Sequence, residues 1–235
     1  MTTKSSFDPA SNVPIRRAAS VLLVREADTG FEVFIQHRVS TMDFAAGMVV
    51  YPGGRVDAQD ADLVRSGAFD DQLLAALAQR WSHASVWDDG VEQAAFHAGE
   101  MLAAARREVF EETGLLLEPN QLQPWANWVT PAGYPKRFDT YFFVAVLAPG
   151  QEPRHQTTEA AVSNWIHPEA LFAALHRGEI KMMRPTQRTL LDAMELGGIE
   201  ALKNINREII PVHPTGMDVG SASPVSKAEL RPRND

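Results

Sequence analysis

Apolar residues recur along this chain with two different periods, and the switches between them lay out the elements. Ala18 to Val24, read Ala-Ala-Ser-Val-Leu-Leu-Val, is a compact apolar run of strand length. Asp28-Thr29-Gly30 marks a turn, and Phe31 to His37 follows as a second strand, so the pair reads as a hairpin. Beyond Gly54 the period becomes helical. Asp60-Ala61-Asp62 has the character of a helix start, and Asp71 to Trp81 is rich in Ala and Leu at helical spacing. Asp88-Asp89-Gly90 is a further start signal, from which a long helix runs to Glu112. Its apolar stripe is Ala94, Ala98, Met101, Leu102, Ala105 and Val109, mostly small side chains that suit close packing on a sheet.

The second half returns to strands. Leu115 to Leu117 opens one, and Trp125 to Thr130 and Phe138 to Leu147 are two more, joined by Pro131 to Lys136. Glu159 then leads a loop toward Trp165, Pro168 to Arg177 is a short helix stopped by Gly178, and Thr186 to Leu196 is another stopped by Gly197-Gly198. This order predicts an α+β fold with a mixed β-sheet between helices. Residues 15–213 form one domain with a helical insertion at about 57–98, flanked by loose polar tails at 1–14 and 214–235. No internal repeat is visible.

Composition narrows the function more than the fold. A net charge of −8 argues against a nucleic-acid backbone as the partner. There is no cysteine, which removes disulfides, zinc-thiolate sites and thiol nucleophiles. No apolar stretch approaches bilayer-spanning length, and no signal-peptide pattern or peroxisomal C-terminal address is read, so the cytoplasm is the expected compartment. His83 and His97 lack a second ligand at i+4 and read as surface or packing residues.

The chemistry concentrates in Arg107-Glu108-Val109-Phe110-Glu111-Glu112-Thr113-Gly114-Leu115. On a helix, Glu108, Glu111 and Glu112 share one face, and like charges at that spacing repel. Carboxylates near a helix C-terminus also oppose its dipole. A divalent cation relieves both costs, and Mg²⁺, a hard ion that accepts a few carboxylates together with substrate phosphate, suits such a cluster. Arg107, four residues before Glu111, can orient it.

This stretch resembles the second half of the Nudix box, G-x(5)-E-x(7)-R-E-U-x-E-E-x-G-U with U a bulky apolar residue. Arg107, Glu108, Val109, Glu111, Glu112, Gly114 and Leu115 fill its seven constrained places. The first Gly would be Gly54, in Tyr51-Pro52-Gly53-Gly54. It stands 53 positions before Arg107 where the box allows 14, an insertion of 39 residues. Counted back from Arg107, the first Glu of the box falls on Gly99. Glu100 beside it either pairs with Arg107 in its place or is a solvated helix residue. The interrupted box resembles the coenzyme A diphosphatases of peroxisomes and their bacterial relatives. The run from Arg38 to Gly54 is similar to their signature at Arg38, Gly47, Pro52, Gly53 and Gly54, but has Gln36, Val39 and Asp43 at three constrained places.

The resemblance implies a Nudix-type α/β/α sandwich and a hydrolase dependent on Mg²⁺ or Mn²⁺. Glu108, Glu111, Glu112 and the carbonyl of Gly54 would be metal ligands, Glu108 or Glu159 the base, and Arg107 their partner. Arg38, Gly53, Arg137, Phe138 and Asp139 would contact a small nucleotide-type substrate, with Arg137 one candidate partner for the buried charge of Asp139. Coenzyme A is the first substrate expected, then ADP-ribose, NADH or a nucleoside triphosphate; the contrasting expectation is a non-catalytic nucleotide-binding module. The inserted helices either cover the pocket or build a homodimer contact.

Overall fold

The computed structural model describes residues 13–39, 47–156 and 158–214. The expected tails, residues 13, 14 and 214 apart, lie outside the described residues, and so does Asp43.

Among the described residues, seven strands make one mixed sheet. They are β1 (Ile15–Glu26), β2 (Phe31–Arg38), β3 (Val49–Val50), β4 (Gly53–Arg55), β5 (Gln123–Val129), β6 (Arg137–Val146) and β7 (Ala160–Ile166). The order is β3-β2-β1-β6-β5, with β4 also on β1 and β7 on β2. β1 and β6 are parallel from Ile15↔Arg137 to Val24↔Val146, and the other pairings are antiparallel. The hairpin of β1 and β2 is joined only at Val24–Glu26 and Phe31–Val33. Below that the two strands part, β4 takes β1 and β3 takes β2, and the sheet splits where the glycine turn lies.

Helices cover both faces. They are α1 (Ala58–Arg65), α2 (Asp71–Arg80), α3 (Val91–Thr113), α4 (Pro168–His176), α5 (Arg184–Glu195) and α6 (Ile199–Lys203). One core joins Ala19, Val21, Leu23, Tyr141 and Phe143 of the sheet to α2 and α3. The other joins Leu22, Val24, Ile35, Phe142 and Val144 to Leu171, Leu175, Leu190 and Leu202 of α4, α5 and α6. Successive residues of β1 thus feed opposite cores, which is why its sequence is unbroken apolar rather than alternating.

The predicted stripe of α3 is buried, but so are Gly99, Ala103 and Ala104 between its members. The helix is enclosed in mid-course because α1 and α2 pack on the side away from the sheet. A Cβ at Gly99 would lie 3.1 Å from Val64 and 3.2 Å from Leu74, so the crossing of α1 and α2 over α3 needs a small residue there. The strand expected at Leu115–Leu117 does not form. That segment is irregular, with Leu115 and Leu117 buried, Leu116 exposed, and the Leu117 carbonyl accepting from Arg106 Nε at 2.7 Å. Residues 160–166, expected as a loop, form edge strand β7. α6 and the short strands β3 and β4 went unforeseen. Among the described residues no helix is long and apolar enough to cross a membrane.

Candidate active site

The site is built where the last turns of α3 pass over β4. Gly53 and Gly54 are the Cα partners of Ser20 and Ala19 on β1. A Cβ at Gly53, whose φ is +155°, would stand 2.3 Å from the Ala19 carbonyl oxygen, which is backbone and cannot yield. A Cβ at Gly54 would stand 2.2 Å from Oε1 of Glu108 and 2.7 Å from Oε2, so the carboxylate lies flat against that glycine. The Gly53 amide donates to Oε2 of Glu112 at 3.1 Å. Residues more than fifty positions apart are thereby brought into one cluster.

Arg107 sits beside it with all five N–H donors used. Nε and Nη2 each donate to an oxygen of Asp60 at 2.9 Å, Nη1 to Glu108 at 2.8 Å and Glu111 at 3.1 Å, and Nη2 also to the Arg55 carbonyl at 2.9 Å. Contact with Asp60 and Glu108 holds the guanidinium pKa well above its ordinary range, against the opposing effect of burial. The partner of Arg107 is therefore Asp60 and not Glu100. Glu100 instead meets His97 Nδ1 at 2.7 Å and Arg17 at 3.9 Å, further back along α3. Asp60 is 2% exposed and also accepts the Asp57 amide at 2.8 Å, closing the capping box of α1. It stands six residues after Gly54, the place of the first Glu in the box counted forward from its glycine. The extra 39 residues fall between Asp60 and Arg107. Counting forward would have found Asp60; counting back reaches Gly99, which serves helix packing.

The remaining carboxylates influence one another. Burial is the main force raising the pKa of Glu108; Arg107 opposes it, while Glu111 and Glu159 add to it. Glu112 is pushed up to about 8, first by burial and then by the charge of Glu108, with the Gly53 amide pulling the other way. Glu159 heads β7 next to a bulge opposite His37 and Arg38, and it accepts from Arg38 Nη2 at 3.0 Å. Among the described residues no three acidic or imidazole side chains already form a ligating cluster. Glu111 is half exposed on Arg107, Glu108 faces Gly54 and Glu112 faces the Gly53 amide. The donors nevertheless fit a hard dication: they are carboxylate oxygens beside a glycine turn, and Glu112 is driven toward neutrality by burial and a neighbouring negative charge, which a cation would reverse.

A cleft of about 780 Å³ opens from this cluster. It is lined at one end by Arg38, Gly53, Gly54, Arg55, Arg107, Glu108, Glu111 and Glu159, and at the other by Arg16, Trp128, Lys136, Arg137 and Phe138. The structure thus brings together the expected residues of both ends, apart from Glu112, which reaches Gly53 from beneath, and Asp139. The latter is 2% exposed on the opposite face of β6, held by Asn127 Nδ2 at 2.6 Å and Ser85 Oγ at 2.5 Å. Arg137 is not its partner: Arg137 donates to the carbonyls of Thr130 at 3.1 Å and Val13 at 3.5 Å. Another depression, of about 1140 Å³, lies at the far end of the sheet, lined by Arg25, Glu26, Glu152 and Lys203, and contains none of these carboxylates.

The family model for the NUDIX domain matches residues 69–192, more than half of the chain. The chain belongs to the Nudix hydrolase family. The match begins beyond Gly54 and Asp60, so the first half of the Nudix box rests on the geometry above. A Caenorhabditis elegans protein assigned as nudix hydrolase 7 is 26% identical over 178 residues, 72% of this chain and 57% of that protein. The chain therefore spans little more than half the length of this curated relative. The crystal structure of a Nudix hydrolase from Alicyclobacillus acidocaldarius superposes with a TM-score of 0.65 at 23% identity, over 84% of this chain and 99% of that one, and shares the Nudix fold.

Proposed function

We propose that this Nudix protein hydrolyses the diphosphate of a nucleoside-diphosphate-linked small molecule, with coenzyme A as first substrate and Mg²⁺ or Mn²⁺ as the ion. The observation that carries this reading is the Glu108 carboxylate lying against Gly54 while Glu112 holds the Gly53 amide. Glu108, Glu111 and Glu112, with the Gly54 carbonyl, would hold the cation. When bound, such an ion neutralises diphosphate charge and lowers the pKa of a water ligand. Arg107, locked by Asp60, sets the rotamers of Glu108 and Glu111. Glu159 or Glu108 takes the proton of the attacking water. Arg38 and the Gly53 backbone hold the phosphates, and Phe138 with Trp128 offers faces for a base beside the cation of Arg137. Asp139 acts from below, fixing β6 against β5 through Asn127. Phosphoryl transfer asks for positioning and charge neutralisation, which this set supplies without a covalent nucleophile.

The same chemistry would serve ADP-ribose, NADH or a nucleoside triphosphate, and Asp43 in the coenzyme A signature keeps that second reading open. Asp60, six residues after Gly54 and bonded twice to Arg107, supports the catalytic reading over the non-catalytic one. The test is turnover of a diphosphate panel with Mg²⁺ and with Mn²⁺. Release of phosphopantetheine and adenosine 3′,5′-bisphosphate from coenzyme A is expected. Binding without cleavage across the panel defeats the proposal.

A further inference from the structure

The cations of the cleft are not all employed by the cluster. Arg107 is fully used, and Arg38 is bonded to Glu159. Arg16, Lys136 and Arg137 line the opposite end, where β1 and β6 begin. The Arg16 side chain has no hydrogen bond or ion pair among the described residues, and its Cα is paired with that of Phe138 across the parallel ladder. Arg137 is anchored through two guanidinium nitrogens to the carbonyls of Thr130 and Val13, so its charge is held at the wall before any ligand arrives. Phe138 and Thr140 lie on one face of β6, and Trp128 is opposite Thr140 on β5, which puts aromatic surface next to Arg16. Along β1, Arg16 is three residues from Ala19, the partner of Gly54. At strand rise that is about 10 Å, the scale of a nucleoside reaching outward from a diphosphate at the glycine turn.

We infer that Arg16, supported by Lys136 and Arg137, forms a second anion subsite that selects substrates bearing a phosphate monoester on the ribose, apart from the diphosphate that is cleaved. The inference rests on the diphosphatase reading for the orientation of the nucleoside, with its base on Phe138 and Trp128 and its diphosphate at Gly54. A guanidinium with no partner among the described residues gains charge-assisted hydrogen bonds from a phosphate without giving up an existing pair. Arg16 thus acts on specificity rather than on the bond that breaks.

Titration calorimetry of the full chain separates this inference from the reading beneath it. Adenosine 3′,5′-bisphosphate and adenosine 2′,5′-bisphosphate are compared with adenosine 5′-monophosphate. At least one bisphosphate is expected to bind about tenfold tighter or more, and Arg16→Gln is expected to remove most of that difference. The better isomer identifies the ribose position. Equal affinity for all three nucleotides, equal weakening of all three by Arg16→Gln, or no binding at all overturns the inference. In turnover, coenzyme A is expected to be preferred over dephospho-coenzyme A in kcat/KM, and Arg16→Gln to bring that ratio toward one. Equal cleavage of the two sinks the subsite alone. Absence of any diphosphate cleavage sinks the proposed function, while the titration still decides the subsite.

Discussion

Asp60 joins two tasks in one buried carboxylate, and its substitution separates structure from chemistry. Asp60→Ala leaves the partly buried Arg107 without two of its acceptors and removes the acceptor of the Asp57 amide from the α1 capping box. Breaking such a pair from one side costs about 3–5 kcal/mol, and urea unfolding should show it as a lowered midpoint. Asp60→Glu, which restores the acid usual at that place in the Nudix box, should recover a large part of the loss. Glu112→Gln keeps the size of the side chain and changes its charge. It should leave the melting profile close to that of wild type while cutting turnover by at least about 10²-fold; wild-type rates in this variant and in Glu111→Gln would remove these residues from the site. At this scale the sequence singles out Glu108, Glu111, Glu112 and Gly54 because each stands in an ordered pattern of chemically constrained residue types, and the structure sets Glu108 against Gly54 and Glu112 on the Gly53 amide. Asp60 was missed because the pattern was followed from one side only. The Arg137–Asp139 pairing was wrong because the true partners, Asn127 and Ser85, are 12 and 54 residues away, and no local spacing announces them.

Among the elements, α3 governs the site because it is held on two sides, by the sheet and by α1 with α2. Gly99 is the gauge of that second contact. Gly99→Val would force its methyls against Val64 and Leu74, a change that typically costs about 1–3 kcal/mol by overpacking. It should lower the thermal midpoint, with Gly99→Ala between it and wild type. The long elements were legible: the two-faced apolar run of β1, the β-branched and aromatic run of β6, the helical spacing of α2, and the start signal and apolar stripe of α3. The short ones were not. Strands of two and three residues such as β3 and β4 carry no period, and their pairing is dictated by where β1 and β2 diverge. Leu115 to Leu117 looks like a strand because two of its leucines are buried, yet its backbone has no partner strand. β7 reads as a loop because its outward residues, Ala161, Val162 and Asn164, belong to a sheet edge rather than to a core.

For the whole molecule, the central ladder is β1 on β6, ten residue pairs long and covered on both faces. Its opening requires both cores to come apart. Amides of Leu22–Val24 and Phe143–Ala145 should therefore exchange with deuterium most slowly, at the rate of global unfolding, whereas those of β7 exchange earlier. Slower exchange in β7 than in β1 would show that stability is not centred on this ladder. The fold class followed from the order of strands and helices, since a sheet buried on both sides needs apolar runs in its middle strands and helices between them. The division of the sheet at the glycine turn did not follow, because it depends on pairings that are remote in sequence.

The bond between Asp60 and Arg107 closes a loop in space. The chain between them folds as α1, α2 and most of α3, and lengthening a turn between those helices adds a closure cost that grows slowly, by about 0.6 kcal/mol for each doubling of the loop. Length in such a turn is therefore almost free to vary. A foreign peptide spliced in at the exposed Gly67 should leave hydrolysis intact, which would make this turn a natural attachment point for a reporter or an affinity handle.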